Sequence, residues 1–550
     1  MAEMPRAHDL FGDADTAKSA AASMDSYLGE LNKSFSNPSS VPGQAPAPDA
    51  VSQLEALAVN KSLSPDVLGA LNSALETQRA AQADIVKDIS LTSPLSTAFA
   101  AFDLEAPAKL LTPRPTPLRN KIARKKGVGT SHRIKRILGY TGTGTGGQGN
   151  IFPGITETTT TAFGSINYER GSKISYAADD LVLPYNSYSL SDSVSFDANF
   201  SGMGYQDLRQ LSSTSTLYAT MLMEERMMLM GRGTASGYSG ALAAPTVALA
   251  SAAAAGSQVA LTNGTTYYVY VTSDAGAFGE SVLSTVQSQA ITTGNLVKVT
   301  VTPVTGALGY KIYVGTTTGA ANAHYVGRIT GTTGYINGAG GSVLGGNVVF
   351  NTTGTLASTI VADTSAYATG YDGILPTVLG ANTGYNNNIN SSFSTSNPGV
   401  EYQTAFASMY DAVKADPDEI LLAGSDRRQL SDAIKNGSTA NYRLNLTQSD
   451  TGGYVGGAVI DGLLNEVTGK LVPLTVHPWL PQGVSPILSY TLPIPDTEVS
   501  DVWSNYMVQD YMGIQWPVTQ FAYEFSTYFR GTFFCAAPAW NGAVSGIVSA

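Results

Sequence analysis

Apolar residues recur along this chain with two different periods, and the changes of period divide it into segments. In 65–89, "PDVLGALNSALETQRAAQADIVKDI", Val67, Leu68, Leu71, Leu75, Gln78 and Gln82 fall at three- and four-residue steps, which predicts a helix that is apolar on one side over its first half. The run before it, "SNPSSVPGQAPAPDA", lacks the apolar content to fold and predicts a flexible linker. The strongest helical period lies in "GYQDLRQLSSTSTLYATMLMEERMMLMGRG", where Leu208, Leu211, Ser215, Tyr218, Met221, Leu222 and Met228 recur and Gly231 with Gly233 supplies the stop. Core packing is the commoner use of such a Met-rich stripe; an adaptable groove is the rarer one. A further helix is expected in "VEYQTAFASMYDAVKAD", with Phe406, Met409, Tyr410 and Val413 on one face. "PDEILLAGSDRRQLSDAIKNG" then reads as a strand–turn–helix unit: Ile420 to Ala423 buried, Ser425 or Asp426 capping, Gly437 ending the helix.

Elsewhere the period is two. "GYTGTGTGGQGNIFPG" suits a loop tip, and the stretches on either side alternate, so one long β-hairpin is expected. Residues 245–340 hold short Val/Tyr/Thr runs such as "YYVYVTSDAG" and "LVKVTVTPVTGALGYKIYVGTT" between Gly, Asn and Pro turns. About seven strands in this span is the pattern of an immunoglobulin-like or fibronectin-type sandwich, read as an inserted module. "QFAYEFSTYFRGTFFCAAPAW" is aromatic and β-branched enough to form paired strands.

Composition narrows the picture. With 550 residues the chain is long enough for more than one domain; only 13% are charged, while Gly (57) and Tyr (28) are abundant, which favours β-structure and large contact surfaces. "MAEMPRAHDLFGDADTAKSA" does not read as a signal peptide, and no stretch approaches the length of apolar chain a membrane helix needs. Against a net charge of −11, residues 118–137 gather eight Lys/Arg and no acid: Arg119, Lys121, Arg124, Lys125, Lys126, Arg133, Lys135 and Arg136. Nucleic-acid binding and an arm reaching an acidic neighbour both explain such a cluster.

Catalytic chemistry finds little footing. His8, His132, His324 and His477 are scattered without a second ligand at metal spacing, and "GTGTGGQG" lacks the Lys-Ser/Thr of a phosphate loop. Glu224–Glu225 and Asp179–Asp180 are adjacent acids, which serve more often as solvated faces or ion-pair partners than as catalytic dyads. Cys535, the single cysteine, reads as a small buried hydrophobe.

Taken in order, an acidic helical N-terminal region, the basic "TPLRNKIARKKGVGT", a Gly-tipped hairpin, a long helix ending "MEERMMLMGRG", a "GYDGILP" return and "PDEILLAGSDRRQLSDAI" resemble the major capsid proteins of tailed bacteriophages with the Hong Kong 97-like fold. The resemblance covers about 110–240 and 365–550 and rests on order and spacing. It implies an α+β fold: an acidic, partly helical region with its linker at 1–110, a basic N-terminal arm at 111–133, and an extended loop at 134–176 lying over a neighbouring subunit. A peripheral domain would follow at 177–244 with its spine helix at 205–230, then the all-β sandwich insertion at 245–340. A return segment with a peripheral-domain helix is implied at 341–417, an axial domain at 418–515, and strands returning to the peripheral domain at 516–550.

In function the resemblance implies a structural subunit, not an enzyme and without a cofactor. Such a subunit closes as pentamers and hexamers into an icosahedral shell around double-stranded DNA, assembled in the host cytoplasm with no membrane partner. Portal, scaffold or cement proteins are further implied partners, and the insertion would face outward, where a weak contact with a host surface or glycan is expected. The eight basic residues would meet acidic patches on neighbouring subunits, a reading preferred over contact with packaged DNA. Lys173 is the candidate for a Lys–Asn crosslink of the kind some of these shells form, although an ordinary exposed lysine is preferred. A competing reading, an exported adhesin or carbohydrate-binding protein built on the sandwich, predicts an export signal and more than one such module.

Overall fold

The computed structural model describes residues 76, 115–142, 174–202, 206–380, 384–436, 447–448, 454–455, 460–492 and 499–549. Apart from Glu76, which is helical, the expected N-terminal helix and linker lie outside this set, as do the hairpin tip with Lys173 and the Gly437 stop. The account below concerns the unit Pro107–Ala550.

The unit begins with a short helix, α1 (Pro117–Lys121), whose first residue is a proline with its backbone angle preset for a helix start. The basic segment then runs as β1 (Ala123–Lys126), followed by β2 (Ser131–Gly142) and β3 (Ile174–Pro184), which pair antiparallel as a two-stranded ribbon of their own. After β4 (Asn186–Ser195) and α2 (Phe196–Ser201), the long helix α3 spans Leu208–Met230. The Asp207 carboxylate accepts from the backbone N–H groups of Arg209 and Gln210 and so starts α3. Its stop differs from a left-handed glycine cap: Gly231 has φ −55, and an added Cβ would lie 2.8 Å from the Tyr371 carbonyl oxygen, so close packing requires the glycine.

Eight strands follow: β5 (Val247–Ala253), β6 (Thr266–Asp274), β7 (Gln287–Ala290), β8 (Asn295–Val301), β9 (Gly309–Gly315), β10 (His324–Ile329), β11 (Thr333–Asn337) and β12 (Asn347–Val349). They form two four-stranded sheets, in orders β10-β9-β6-β7 and β12-β11-β8-β5. Val269, Val271, Val297, Val299, Ile312, Val314 and Ile336, all fully buried, alternate inward from both sheets into one core. Because β12 pairs parallel with β11, the sandwich continues past residue 340. Its entrance and exit are adjacent: Gly233 bridges Tyr367, and the Gly373 N–H donates to the Gly231 carbonyl at 2.9 Å.

The chain then forms α4 (Ile374–Leu379), β13 (Tyr385–Ser391), α5 (Val400–Val413), β14 (Glu419–Leu422) and α6 (Gly424–Asn436). A small pair, β15 (Thr447–Gln448) and β16 (Tyr454–Val455), precedes β17 (Gly462–Leu464), β18 (Leu471–Val476) and β19 (Val484–Leu488). Last come β20 (Trp503–Gln515), β21 (Ala522–Cys535) and β22 (Gly542–Ile547). One sheet, in order β1-β20-β21-β4, packs against α3; another, in order β13-β22-β19-β14-β18-β17, carries α5.

These sheets divide the chain differently from the expected boundaries. β20 lies between β1 and β21 in the sheet that also holds β4, not with the rest of the 418–515 segment, and β22 lies inside the six-stranded sheet instead of returning with β21. Helix α5 buries Tyr402, Phe406, Met409 and Val413 against that same sheet, so it is not a companion of α3; Tyr410 is only half-buried. On α3 the expected face is also displaced. Leu211 and Tyr218 are exposed, while Ser212, Thr216, Thr220 and Glu224 form the buried ladder. Thr216 and Thr220 donate their hydroxyls to the carbonyls four residues back, which satisfies them without leaving the helix. Asp426 does not act as a surface cap; it is fully buried and accepts from the Gly483 N–H at 2.8 Å. Among the described residues no helix is long and apolar enough to cross a membrane.

Candidate functional site

Two adjacent carboxylates near the C-terminal end of α3 hold the basic segment. Both Glu224 and Glu225 are fully buried. The first N–H groups of a helix have no partner within it, and Glu225 supplies one: its two oxygens accept from Leu118 N at 2.9 Å and Arg119 N at 2.7 Å at the start of α1. The His477 Nε2 donates to the same carboxylate at 2.8 Å, while its Nδ1 accepts from the Trp479 N–H at 3.3 Å. The Trp479 indole N–H in turn donates to the Pro115 carbonyl at 3.0 Å. The histidine is thus held between a helix-start clamp and backbone, an orienting role.

Glu224 accepts from Arg124 Nη1 at 2.9 and 3.1 Å, from Asn505 Nδ2 at 2.5 Å and from the Tyr511 hydroxyl, with Arg119 Nε 3.6 Å away. Arg124 reaches on to Asp510 at 2.8 Å, and its guanidinium lies 5.2 Å from the centre of the Tyr511 ring. Burial pushes the Glu224 carboxyl above its ordinary range even though Arg124 opposes the shift. For Arg124 burial works against the charge, but Glu224 and Asp510 outweigh it and raise the guanidinium's pKa. Strand β1 seals the arrangement by pairing parallel with β20, from Ala123 opposite Ser504 to Lys126 opposite Met507.

The other cations are also engaged within the chain. Lys121 lies 2.7 Å from Glu419 and over the Tyr490 ring at 4.1 Å. Burial raises the Glu419 carboxyl, but donors from Lys121, Tyr490 and Thr475 outweigh it and the net shift is downward. Lys125 meets Asp501 at 2.9 Å. On the ribbon, Arg136 stands opposite Asp179 and bonds it at 2.5 Å, while Arg133 bonds Asp180 diagonally. Only Lys126 and Lys135 of the eight are exposed with no ion pair among the described residues. The structure therefore brings Arg119 and Arg124 together at one carboxylate, spreads Lys121, Lys125, Arg133 and Arg136 over separate acids, and leaves two lysines facing solvent.

The acids that complete the site were visible only in part. Glu224–Glu225 and Asp179–Asp180 stand out as adjacent pairs, and here all four are ion-pair or clamp partners. Asn505, Tyr511, His477 and Glu419 carry no local signal, because each lies hundreds of residues from the cation or clamp it completes. Cys535 is buried, and burial pushes its thiol up to about 12, which suits packing over nucleophilic chemistry.

A second surface lies at the far end of the same sheet. Phe521, 84% exposed, with Phe200, Trp516 and Val518 forms an apolar edge at the β20–β21 turn, joined through the Phe196 ring at 6.0 Å from Phe521 and 6.4 Å from Phe200.

No protein-family model and no curated protein matches the sequence. Among solved structures, the chain is similar to the capsid of Myoviridae phage XM1, with 8% identity over 82% of this chain and 98% of that one, at a TM-score of 0.38. It is similar to a chain from Mycobacterium phage Bobi with 8% identity over 83% and 98%, at 0.37. It is also similar to the holo-SrpI encapsulin of Synechococcus elongatus, with 9% identity over 84% and 96%, at 0.32.

Proposed function

We propose that this chain is the structural subunit of a phage-type icosahedral shell, closing as pentamers and hexamers around double-stranded DNA. The observation that carries the reading is the β2–β3 ribbon. Among the described residues, strands of 12 and 11 residues pair with each other and with no other strand, and at about 3.3 Å per residue the ribbon is roughly 40 Å long. A two-stranded ribbon is marginal in water by itself. Its base rests on the chain's own body, where His132 stacks on Tyr506 at 3.8 Å and the Tyr238 hydroxyl donates to the Pro184 carbonyl at 3.0 Å. A neighbouring subunit of the same kind would supply the surface for the rest, and the apolar edge at Phe521, Phe200 and Trp516 is a second face that a further copy would cover.

In this reading the buried carboxylates do preparatory work. They fix the basic segment against α3 and β20, so the ribbon that follows leaves the body in a set direction. Lys126 and Lys135 are then the cations left to meet acids of a neighbour, with packaged DNA as their rival partner. The sandwich, whose two connections are adjacent and whose flank rests on the six-stranded sheet through Arg328, Thr330 and Thr332, would face outward. Enzymatic chemistry has no part in this proposal, and portal, scaffold or cement proteins would be its other partners.

Negative-stain electron microscopy of the purified chain, alone and with phage assembly partners, tests the proposal. Closed shells, or rings of five and six, are expected. A dispersed monomer under every condition would overturn it.

A further inference from the structure

The outer face of the sandwich holds a lysine between two acids in a setting built for more than an ion pair. Strands β6 and β9 pair with Thr272 opposite Lys311, so Thr272, Asp274, Lys311 and Tyr313 all lie on the face turned away from the sandwich core. Glu280 comes down onto that face from the connection after β6, next to its bridge partner Asp274. A small apolar cluster, Tyr270, Tyr313, Ala323 and Ala357 with Tyr325 and Leu283 against it, packs on the same face. Asp274 is 4% exposed, Glu280 12% and Lys311 24%.

The contacts sort the three groups by role. Lys311 Nζ lies 3.3 Å from Glu280 Oε1 and 3.6 Å from Asp274 Oδ1. The other Glu280 oxygen, Oε2, accepts from the Tyr313 hydroxyl at 2.8 Å and from the Thr272 hydroxyl. Asp274 is held on its far side by Arg328 Nε at 2.6 Å. A nucleophilic nitrogen thus faces one oxygen of a carboxyl group whose second oxygen is already gripped by two neutral donors, the pattern that stabilises a tetrahedral oxyanion.

We propose that Lys311 and Glu280 condense into an intramolecular isopeptide bond, with Asp274 as the proton shuttle. The Lys311 ammonium gives one proton to Glu280 Oε1, which leaves a neutral amine facing a neutral carboxyl. The nitrogen lone pair attacks the Glu280 carboxyl carbon, the C=O pair moves to Oε2 under the Tyr313 and Thr272 hydroxyls, and the nitrogen gives a second proton to Asp274. Collapse expels Oε1 as water, which takes the proton held by Asp274, and the amide remains. In sum an ammonium and a carboxylate become an amide and one water, with no oxidant or co-reactant required. Fixed proximity replaces a bimolecular encounter. The reaction removes one buried charge of each sign and leaves Asp274 paired with Arg328, so no charge is stranded.

Mass spectrometry of the full chain under denaturing conditions tests this bond without reference to shell assembly. The wild-type chain is expected one water lighter than its sequence, and its digest is expected to contain a branched peptide joining the Lys311 and Glu280 segments. Lys311→Arg, which keeps the charge, should restore the sequence mass, and Asp274→Asn should slow the loss of water in a time course. Separate, unbranched peptides from the wild-type chain after prolonged incubation would overturn the proposal. A branch to Asp274 in place of Glu280 would overturn the assignment of the electrophile. The wild-type digest decides the matter even if a variant fails to fold.

Discussion

Replacing Arg124 by alanine removes the main counter-charge of a carboxylate that has no access to water. Glu224 would keep Asn505 and Tyr511 as donors and Arg119 Nε at 3.6 Å, so part of its compensation survives. Breaking a buried pair from one side costs about 3–5 kcal/mol, and the surviving partners place Arg124→Ala near the lower end, about 3 kcal/mol. Urea denaturation of the unassembled subunit measures this, with an unchanged slope showing that the folded state is the same. The double variant Arg124→Met with Glu224→Gln keeps an acceptor for Asn505 and Tyr511 but no buried charge, and should recover about 2 kcal/mol of the loss. The sign with pH follows from the raised carboxyl. The folded chain holds the Glu224 proton more tightly than the unfolded chain does, so stability from this group is present below the ordinary value of 4.5 and is lost as pH rises through the folded value. Without Arg124 that folded value moves higher still, so the deficit of Arg124→Ala should shrink between about pH 7 and about pH 5. A deficit under about 1 kcal/mol, or one that does not change with pH, would refute the account of a buried, arm-locking carboxylate.

Four further outcomes are expected. Asp426 is fully buried and burial raises it to about 6, so the folded state gains stability as pH falls through that value; Asp426→Asn, which still accepts from Gly483, should erase about 3 kcal/mol of pH dependence between about pH 4 and pH 6 in paired urea titrations. Leu229→Ala should cost about 2–5 kcal/mol by the same assay, since Leu229 is fully buried where α3 meets its sheet. Gly279→Ala should lower the melting temperature, because Gly279 has φ +141 and a Cβ there would collide with Thr364. Neutralising Lys126 and Lys135 as glutamines should leave subunit stability within about 0.5 kcal/mol while slowing shell formation in light scattering, and unchanged assembly would remove these two lysines from the interface.

The extent of α3 was legible because its hydrophobic period is long and Asp207 and Gly231 punctuate it. Its buried face was not, since Ser212, Thr216 and Thr220 are polar by type yet satisfy themselves along the helix, and a periodicity that scores only apolar residues passes over them. The two arms of the hairpin follow from alternation and a glycine-rich tip. The parallel pairing of β1 with β20 joins residues far apart in sequence, and nothing local in "ARKK" announces a strand. For the same reason the basic run announced that acids were needed without saying which. Asp179 and Asp180 lie across a hairpin and can be guessed from register, whereas Glu419, Asp501 and Asp510 are chosen only when the sheets assemble. Placing β20 and β22 in the wrong sheets has the same cause: strands that read alike are sorted by tertiary pairing.

The root of the sandwich sets the module's two connections side by side. Since Gly233 bridges Tyr367, the host chain leaves and rejoins its own body across the spacing of two neighbouring strands, about 5 Å. A linker of a few residues can span that gap, but excision also strips a packed seam: Leu308 belongs to the same core as α3, Arg328 donates to the Gln482 carbonyl at 2.9 Å, and the Thr330 hydroxyl donates to the Ile547 carbonyl at 2.7 Å. A foreign domain whose own termini lie close together fits the same socket only if it also covers that seam. Each copy therefore offers one mounting point, with a footprint wider than its two connections.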